Sequence, residues 1–192
     1  MRYSRDQLIK AVSSQMPEKR WQHTQGVMDS ARRLAHQYGA DADKAELSSI
    51  LHDVAKYWPV EKLKSVIQDK QLSNELLLYN KQLWHAEVGA YVAEYDYGID
   101  DIEVLDAIRY HTSGRIGMTL MDKIVCLADY IEPGRDYPGV NNIRELANHS
   151  LEEGLVAGLD STITLLVSRS QIIYPLTVYA RNDLIKQLEA NS

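Results

Sequence analysis

Apolar side chains recur every three or four residues along almost the whole chain, and that spacing restricts it to stacked helices. Leu8, Val12 and Met16 fall at intervals of four; Val27, Ala31, Leu34 and Ala35 repeat the pattern, as do Leu47, Ile50, Leu51 and Val54. Residues so spaced share one helical face, and each stretch must bury that face against a neighbour. The same reading predicts helices over 60–69, 73–80, 85–95, 102–111, 119–130, 143–148, 151–170 and 176–188, with strand-like alternation scarce. The expected fold is an all-α, single-domain helical bundle covering 1–192. Ser73 stands where a helix would start, Asp100 and Asp101 precede Ile102, and Gly39 follows an apolar-periodic run. Two prolines and two glycines within 132–139 mark a loop placed to hinge or cap a site.

Composition narrows the function. A chain of 192 residues, 45% hydrophobic and 25% charged, can bury a core without disulfides, and it has no apolar run of membrane-spanning length. A formal charge of −6 argues against sequence-independent nucleic-acid binding, which needs a clustered basic surface. A small anion could still be held by a few local cations or by metal. Cys126 has no partner for an internal disulfide, and the first ten residues lack the apolar core of a signal peptide, so the expected location is the cytoplasm.

The chemistry gathers around His52-Asp53. On a helix running through this pair, His52 and Lys56 would sit one turn apart, with Asp53 three positions before the lysine. Four other residues occupy inward positions: His85 continues the Val88 and Val92 face, His111 the Val104 and Ile108 face, and His23 precedes Val27 by one turn. Asp129 interrupts the apolar run 124–128. Taken singly, an inward histidine is usually a hydrogen-bonded core residue and a buried aspartate usually a cap or an arginine partner. Four inward histidines and two inward aspartates from separate helices need shared counter-charge, which a metal ion provides. His36 and His149 lie in polar settings and are read as ordinary surface residues.

The ordered set His23, His52-Asp53, His85, His111 and Asp129 resembles the HD-domain superfamily of metal-dependent phosphohydrolases over about residues 15–135. The local wording Arg20-Trp21-Gln22-His23-Thr24, Leu51-His52-Asp53-Val54-Ala55-Lys56, Arg109-Tyr110-His111-Thr112 and Ala128-Asp129-Tyr130-Ile131-Glu132-Pro133 resembles its YqeK subgroup. The resemblance implies a bundle of HD-domain type, with the helices over 143–188 completing a nucleotide site. It implies symmetrical hydrolysis of diadenosine tetraphosphate to two ADP by a metal-activated water. The implied metal ligands are His23, His52, Asp53 and Asp129, with His85 and His111 completing a second metal site that shares Asp53 or else contacting substrate. Histidine and carboxylate donors without thiolate suit Fe, Mn, Co or Zn, and the resemblance favours iron, as one or two ions. Asp53, Lys56, His85 and His111 are the expected catalytic residues, Lys56 neutralising charge on the transferring phosphoryl group.

Arg20 and Arg135 are placed to fork onto phosphate. Lys56-Tyr57-Trp58-Pro59 and Tyr174-Pro175-Leu176-Thr177-Val178-Tyr179 offer aromatic faces for a purine, with Thr112 beside His111, and a helix starting at Leu176 after Pro175 would turn free amides toward a phosphate. The expected partner is a small nucleotide, the diadenosine tetraphosphate substrate and its ADP product, with no nucleic acid and no membrane, and a homodimer left open. Val54, Ala55 and Lys56 stand where the alarmone-hydrolase branch has two acidic residues, which argues against that branch. Cyclic-dinucleotide phosphodiesterases and nucleotide triphosphohydrolases share the superfamily, and a non-catalytic metal or nucleotide sensor is the rival from another class.

Overall fold

In the computed structural model, residues 3–190 are described and form ten α-helices with no strand among them. They are α1 (Arg5–Ser13), α2 (Glu18–Tyr38), α3 (Ala42–Leu51), α4 (Val60–Asp69), α5 (Trp84–Tyr95), α6 (Ile102–Tyr110), α7 (Leu120–Ile131), α8 (Val140–Leu146), α9 (Leu151–Ser168) and α10 (Pro175–Ala190). The all-α class expected from the periodicity is the class observed. Local chemistry sets the helix ends. Ser4 and Gln7 form a capping box at α1, Thr119 and Asp122 another at α7, and Asp41 and Asp101 cap α3 and α6 through their carboxylates. Gly39, at φ 76°, ends α2 in the left-handed conformation open to glycine without a Cβ penalty.

Two apolar cores result. One joins Val27 and Leu34 of α2 to Ile124 and Leu127 of α7, Leu155 of α9 and Leu184 of α10. The other joins Leu8 of α1, Ile50 and Leu51 of α3, Ile67 of α4, Val88 of α5 and Ile108 of α6. The ends of α3 and α6 and the bodies of α2, α5 and α7 meet between these cores, and there the polar residues collect.

Two segments differ from the expected helices. Residues 73–80 form no α-helix; short 3-10 turns occupy Asn74–Leu78 and Lys81–Leu83. Only Leu76 of the three successive leucines is buried, Leu78 is 74% exposed, and Ser73 makes no capping bond, so one α-helical stripe is never completed. The second difference bears on the site. α3 stops at Leu51, and the chain continues in tight turns, Val54 N donating to Leu51 O at 3.0 Å, Lys56 N to Asp53 O at 2.9 Å and Trp58 N to Ala55 O at 3.1 Å. Pro59 disfavours a helical residue at 58, and the turn aims Asp53 and Lys56 together rather than along a helix face. The remaining expected helices are present with ends displaced by at most three residues, α8 beginning at Val140 and α10 at Pro175 itself.

Candidate metal centre

Three histidines of the cluster, His23, His52 and His111, are held by their far nitrogens, so that the near ones face a common space. His52 Nδ1 bonds Ser49 O at 2.6 Å and His111 Nδ1 bonds Ile108 O at 2.8 Å, each reaching back three residues at a helix end. A carbonyl can only accept, so these bonds place the ring proton on Nδ1 and leave Nε2 with a lone pair. His85, near the start of α5, has Lys56 Nζ 3.5 Å from its Nδ1. His23, from α2, bonds Glu132 Oε1 through Nδ1 at 3.0 Å.

Acceptors therefore face acceptors. His52 Nε2 lies 3.0 Å from Asp53 Oδ2, His85 Nε2 lies 3.0 Å from Asp53 Oδ1 and 3.1 Å from His111 Nε2, and His23 Nε2 lies 3.0 Å from Asp129 Oδ1. The Nε2 atoms of His23 and His52 and the Oδ1 of Asp53 are buried with no hydrogen-bond partner. Lone pairs that close, taken out of water, repel unless a cation sits among them. The donor set thus fits a divalent transition metal of the kind that binds imidazole and carboxylate. Two overlapping groups, His23 with His52 and Asp129, and His52 with Asp53 and His111, have ligand atoms within 4.8 Å of one another. Asp53 reaches both, Oδ2 toward His52 and His23 and Oδ1 toward His85 and His111.

Electrostatics keeps the rings ready for metal. Burial, with the neighbouring imidazoles and cations, holds His52 and His85 well below the ordinary histidine range and pushes His111 down to about 3. Asp129 is desolvated too, but the neighbouring His23 ring and the charge of Arg135 outweigh that, so its carboxyl titrates well below the usual carboxylate range. Burial first, and Arg20 second, lower the Lys56 ammonium to about 8. Its Nζ stands 4.0 Å from Asp53 Oδ1 and 3.4 Å from His85 Nε2. Arg20 pairs with Asp53 and Arg135 with Asp129, and Arg135 Nε also donates to Asp129 O at 2.8 Å.

The sequence profile of the HD domain matches residues 20–134, a span that contains every one of these candidate ligands. The chain belongs to the HD-domain family. This HD-domain protein is 43% identical over 95% of its length to the protein named "Bis(5'-nucleosyl)-tetraphosphatase, symmetrical" of Bacillus subtilis, covering 98% of that relative. A relative of the same name from Halalkalibacterium halodurans is also 43% identical, over 95% of this chain and 97% of its own. A crystal structure from Clostridium acetobutylicum, described as a predicted HD superfamily hydrolase involved in NAD metabolism, superimposes with a TM-score of 0.93 at 38% identity, over 97% of this chain and all of that one.

Among the described residues, cavities open around the HD centre. One of about 660 Å³ runs along α2 and is lined by Lys19, Arg20, His23, Tyr57, Glu132 and Arg135 among others. A second, of about 540 Å³, has His111, Thr112, Asp129 and Arg135 at one end and residues of α9 at the other. A third, of about 130 Å³, joins Thr112 to Glu87, Arg109, Tyr174 and Leu176. A further cavity of about 520 Å³ between α1, α3 and α6 shares no residue with the centre.

The nine residues His23, His52, Asp53, Lys56, His85, His111, Asp129, Arg20 and Arg135 thus converge. Tyr57 and Thr112 line the adjoining cavities, and Tyr174 and Leu176 the smallest one, with the Tyr174 ring 4.8 Å from that of Tyr79. The other expected nucleotide contacts line none of these three cavities. Trp58 packs on the second core with Lys62 Nζ over its ring at 3.2 Å, and Pro59 precedes α4. Pro175 opens α10, Thr177 is buried, and Val178 and the exposed Tyr179 line none of these cavities. His36 and His149 are exposed, as expected.

Glu132 escaped the sequence reading as a site residue. It orients His23 through Oε1 and takes the Gly134 amide at 2.6 Å through Oε2, while Arg144 gathers the carbonyls of Ile131, Glu132 and Arg135 and so shapes the loop that carries it. Its position three residues after Asp129 was the available signal, because that spacing puts both carboxylates on one side of the chain.

Proposed function

We propose that this chain hydrolyses diadenosine tetraphosphate symmetrically to two ADP. The observation that carries this reading is the buried set of facing imidazole and carboxylate lone pairs, bordered by Lys56, Arg20 and Arg135, in a chain that matches symmetrical bis(5'-nucleosyl)-tetraphosphatases over 95% of its length. His23, His52, Asp53 and Asp129 would hold one metal, with His85 and His111 completing a second site through Asp53. Iron is our choice among the metals this donor set suits. A metal held there supplies Lewis acidity for activating water and polarising a phosphoryl oxygen.

The protein's own groups do the rest. The paired Nδ1–carbonyl bonds fix each ring's orientation, and Glu132 does the same for His23. Lys56, beside Asp53 and His85, stands where negative charge develops on the transferring phosphoryl group. Arg20 and Arg135 offer forked donors to the phosphates on either side. Water adds its oxygen to one inner phosphorus, the central P–O–P bridge breaks, and the departing ADP keeps that bridge's electron pair. Thr112, Tyr174 and Leu176 line the approach on the α10 side, and Tyr57 that along α2. The chain acts as one unit over 1–192, because α9 and α10 wall cavities that open at residues of the HD segment. No described helix is long and apolar enough to cross a membrane, and the one cysteine, Cys126, is buried and free. A reducing cytoplasm is the location we assign.

Purified protein with its metal content measured, incubated with diadenosine tetraphosphate, is expected to yield ADP as the sole nucleotide product. AMP with ATP would mean asymmetric attack and overturn the reading, and stoichiometric binding without product would make the protein a sensor.

A further inference from the structure

We infer that the two halves of the substrate occupy separate cavities that meet at Arg135, and that the one along α2, walled by Lys19, Arg20 and Tyr57, holds the second nucleoside diphosphate. This rests on the hydrolase reading above and adds the place of the half that the cavity along α9 does not receive.

Cleavage at the central bridge creates two identical products, each with a purine, a ribose and two phosphates. A centre that cuts between them needs enclosure in two directions. The cavities of about 660 Å³ and about 540 Å³ share Arg135 and no other lining residue; His23 walls the first and Asp129 the second. Those two side chains touch at 3.0 Å, so the cavities open on the two sides of one ligand contact.

The α2 cavity has the chemistry of a nucleotide site. Lys19, Arg20 and Arg135 supply three cations for two phosphates. Of its two acidic residues, Glu132 is engaged by His23 and Gly134, and Asp29 is exposed on α2. Arg20 pairs with Asp53 through Nη2, yet its Nε is buried without a partner, a donor left over for an incoming oxygen. Tyr57 is 54% exposed at the cavity wall and has no aromatic neighbour among the described ring pairs, whereas the face of Trp58 is covered by Lys62. Tyr57 is therefore the member of the 57–59 segment that can offer a bare ring to a base.

The test uses metal-loaded protein and the variants Tyr57→Ala, Tyr57→Phe and Lys19→Glu, all altered at exposed positions. For diadenosine tetraphosphate, KM should rise about 10-fold in Tyr57→Ala and in Lys19→Glu, with a smaller change in kcat, while Tyr57→Phe keeps the ring and stays near wild type. Calorimetric titration with ADP should find two sites in the wild type and one in Tyr57→Ala. A single wild-type site, two sites that both survive in the variant, or an unchanged KM would overturn the assignment and leave the hydrolase reading standing. A wild-type protein that releases no ADP from the tetraphosphate would instead remove the hydrolase reading itself.

Discussion

At Glu132 one carboxylate answers two donors, His23 Nδ1 and the Gly134 amide, and so holds an imidazole in the orientation a metal needs. Removing such an outer partner typically costs 10- to 100-fold in metal affinity. Glu132→Ala is accordingly expected to weaken metal binding by about that factor in a metal-buffered titration, with the helical content unchanged. Gly26 gives an independent route to the same effect. A Cβ there would lie 2.5 Å from Glu132 Oε2, so Gly26→Ala must displace the carboxylate and should lower the affinity in the same direction. Lys56 predicts a different signature, since it contacts Asp53 and His85 without sitting in either candidate metal group. Lys56→Ala should reduce kcat by about 10² to 10³ with the metal content retained, as expected for one lost charge-stabilising donor. Full turnover with full metal would rule the role out.

Among the elements, α1 docks through an ion pair whose strength depends on ionisation. Arg5 forks onto Glu46 of α3 with bonds of 3.0 and 2.8 Å, and Arg32 adds a third contact at 3.3 Å. The hydrogen bond from Arg5 is the main cause that holds the Glu46 carboxyl below its ordinary 4.5. A carboxylate whose pKa is lower folded than unfolded stabilises the fold above the unfolded value, and that contribution is lost as pH falls from about 4.5 through the depressed value. Arg5 is more than half exposed, so solvent screening limits the pair to about 1 kcal/mol. Urea titrations should show Glu46→Gln less stable than wild type by about that much at pH 7, with the gap closing as pH falls from about 4.5 through the depressed value. A gap independent of pH would mean that packing, not charge, docks α1. α7 has another part: its capping box starts it, its apolar face is buried in the first core, and its last turn delivers Asp129, with Glu132 just beyond its end.

For the molecule as a whole, the centre ties α2, the turn after α3, α5, α6 and α7 into one junction between two apolar cores. An ion that binds only the folded arrangement stabilises it by mass action, about 3 kcal/mol at a free concentration 100 times Kd. Stripping the metal with a chelator should therefore lower the thermal midpoint by several degrees, and Mn(II) or Fe(II) should restore it in proportion to occupancy. A midpoint indifferent to metal would show that the facing lone pairs hold no ion in solution.

Periodicity was enough for the helical class and most helix spans, because a buried stripe every three to four residues suits no other regular structure. It was enough as well to pick out His23, His85, His111 and Asp129, since each interrupts a face that should be apolar and so announces a polar purpose. Other features were not written locally. That Glu132 backs His23, and that Arg135 joins the cavity along α2 to the one along α9, follow from which helix ends are brought side by side. The sequence by itself determined which side chains are inward and what chemistry they carry. Only the tertiary structure decided which nitrogen faces which oxygen, because ring orientation depends on backbone carbonyls and neighbours supplied by the packed helices.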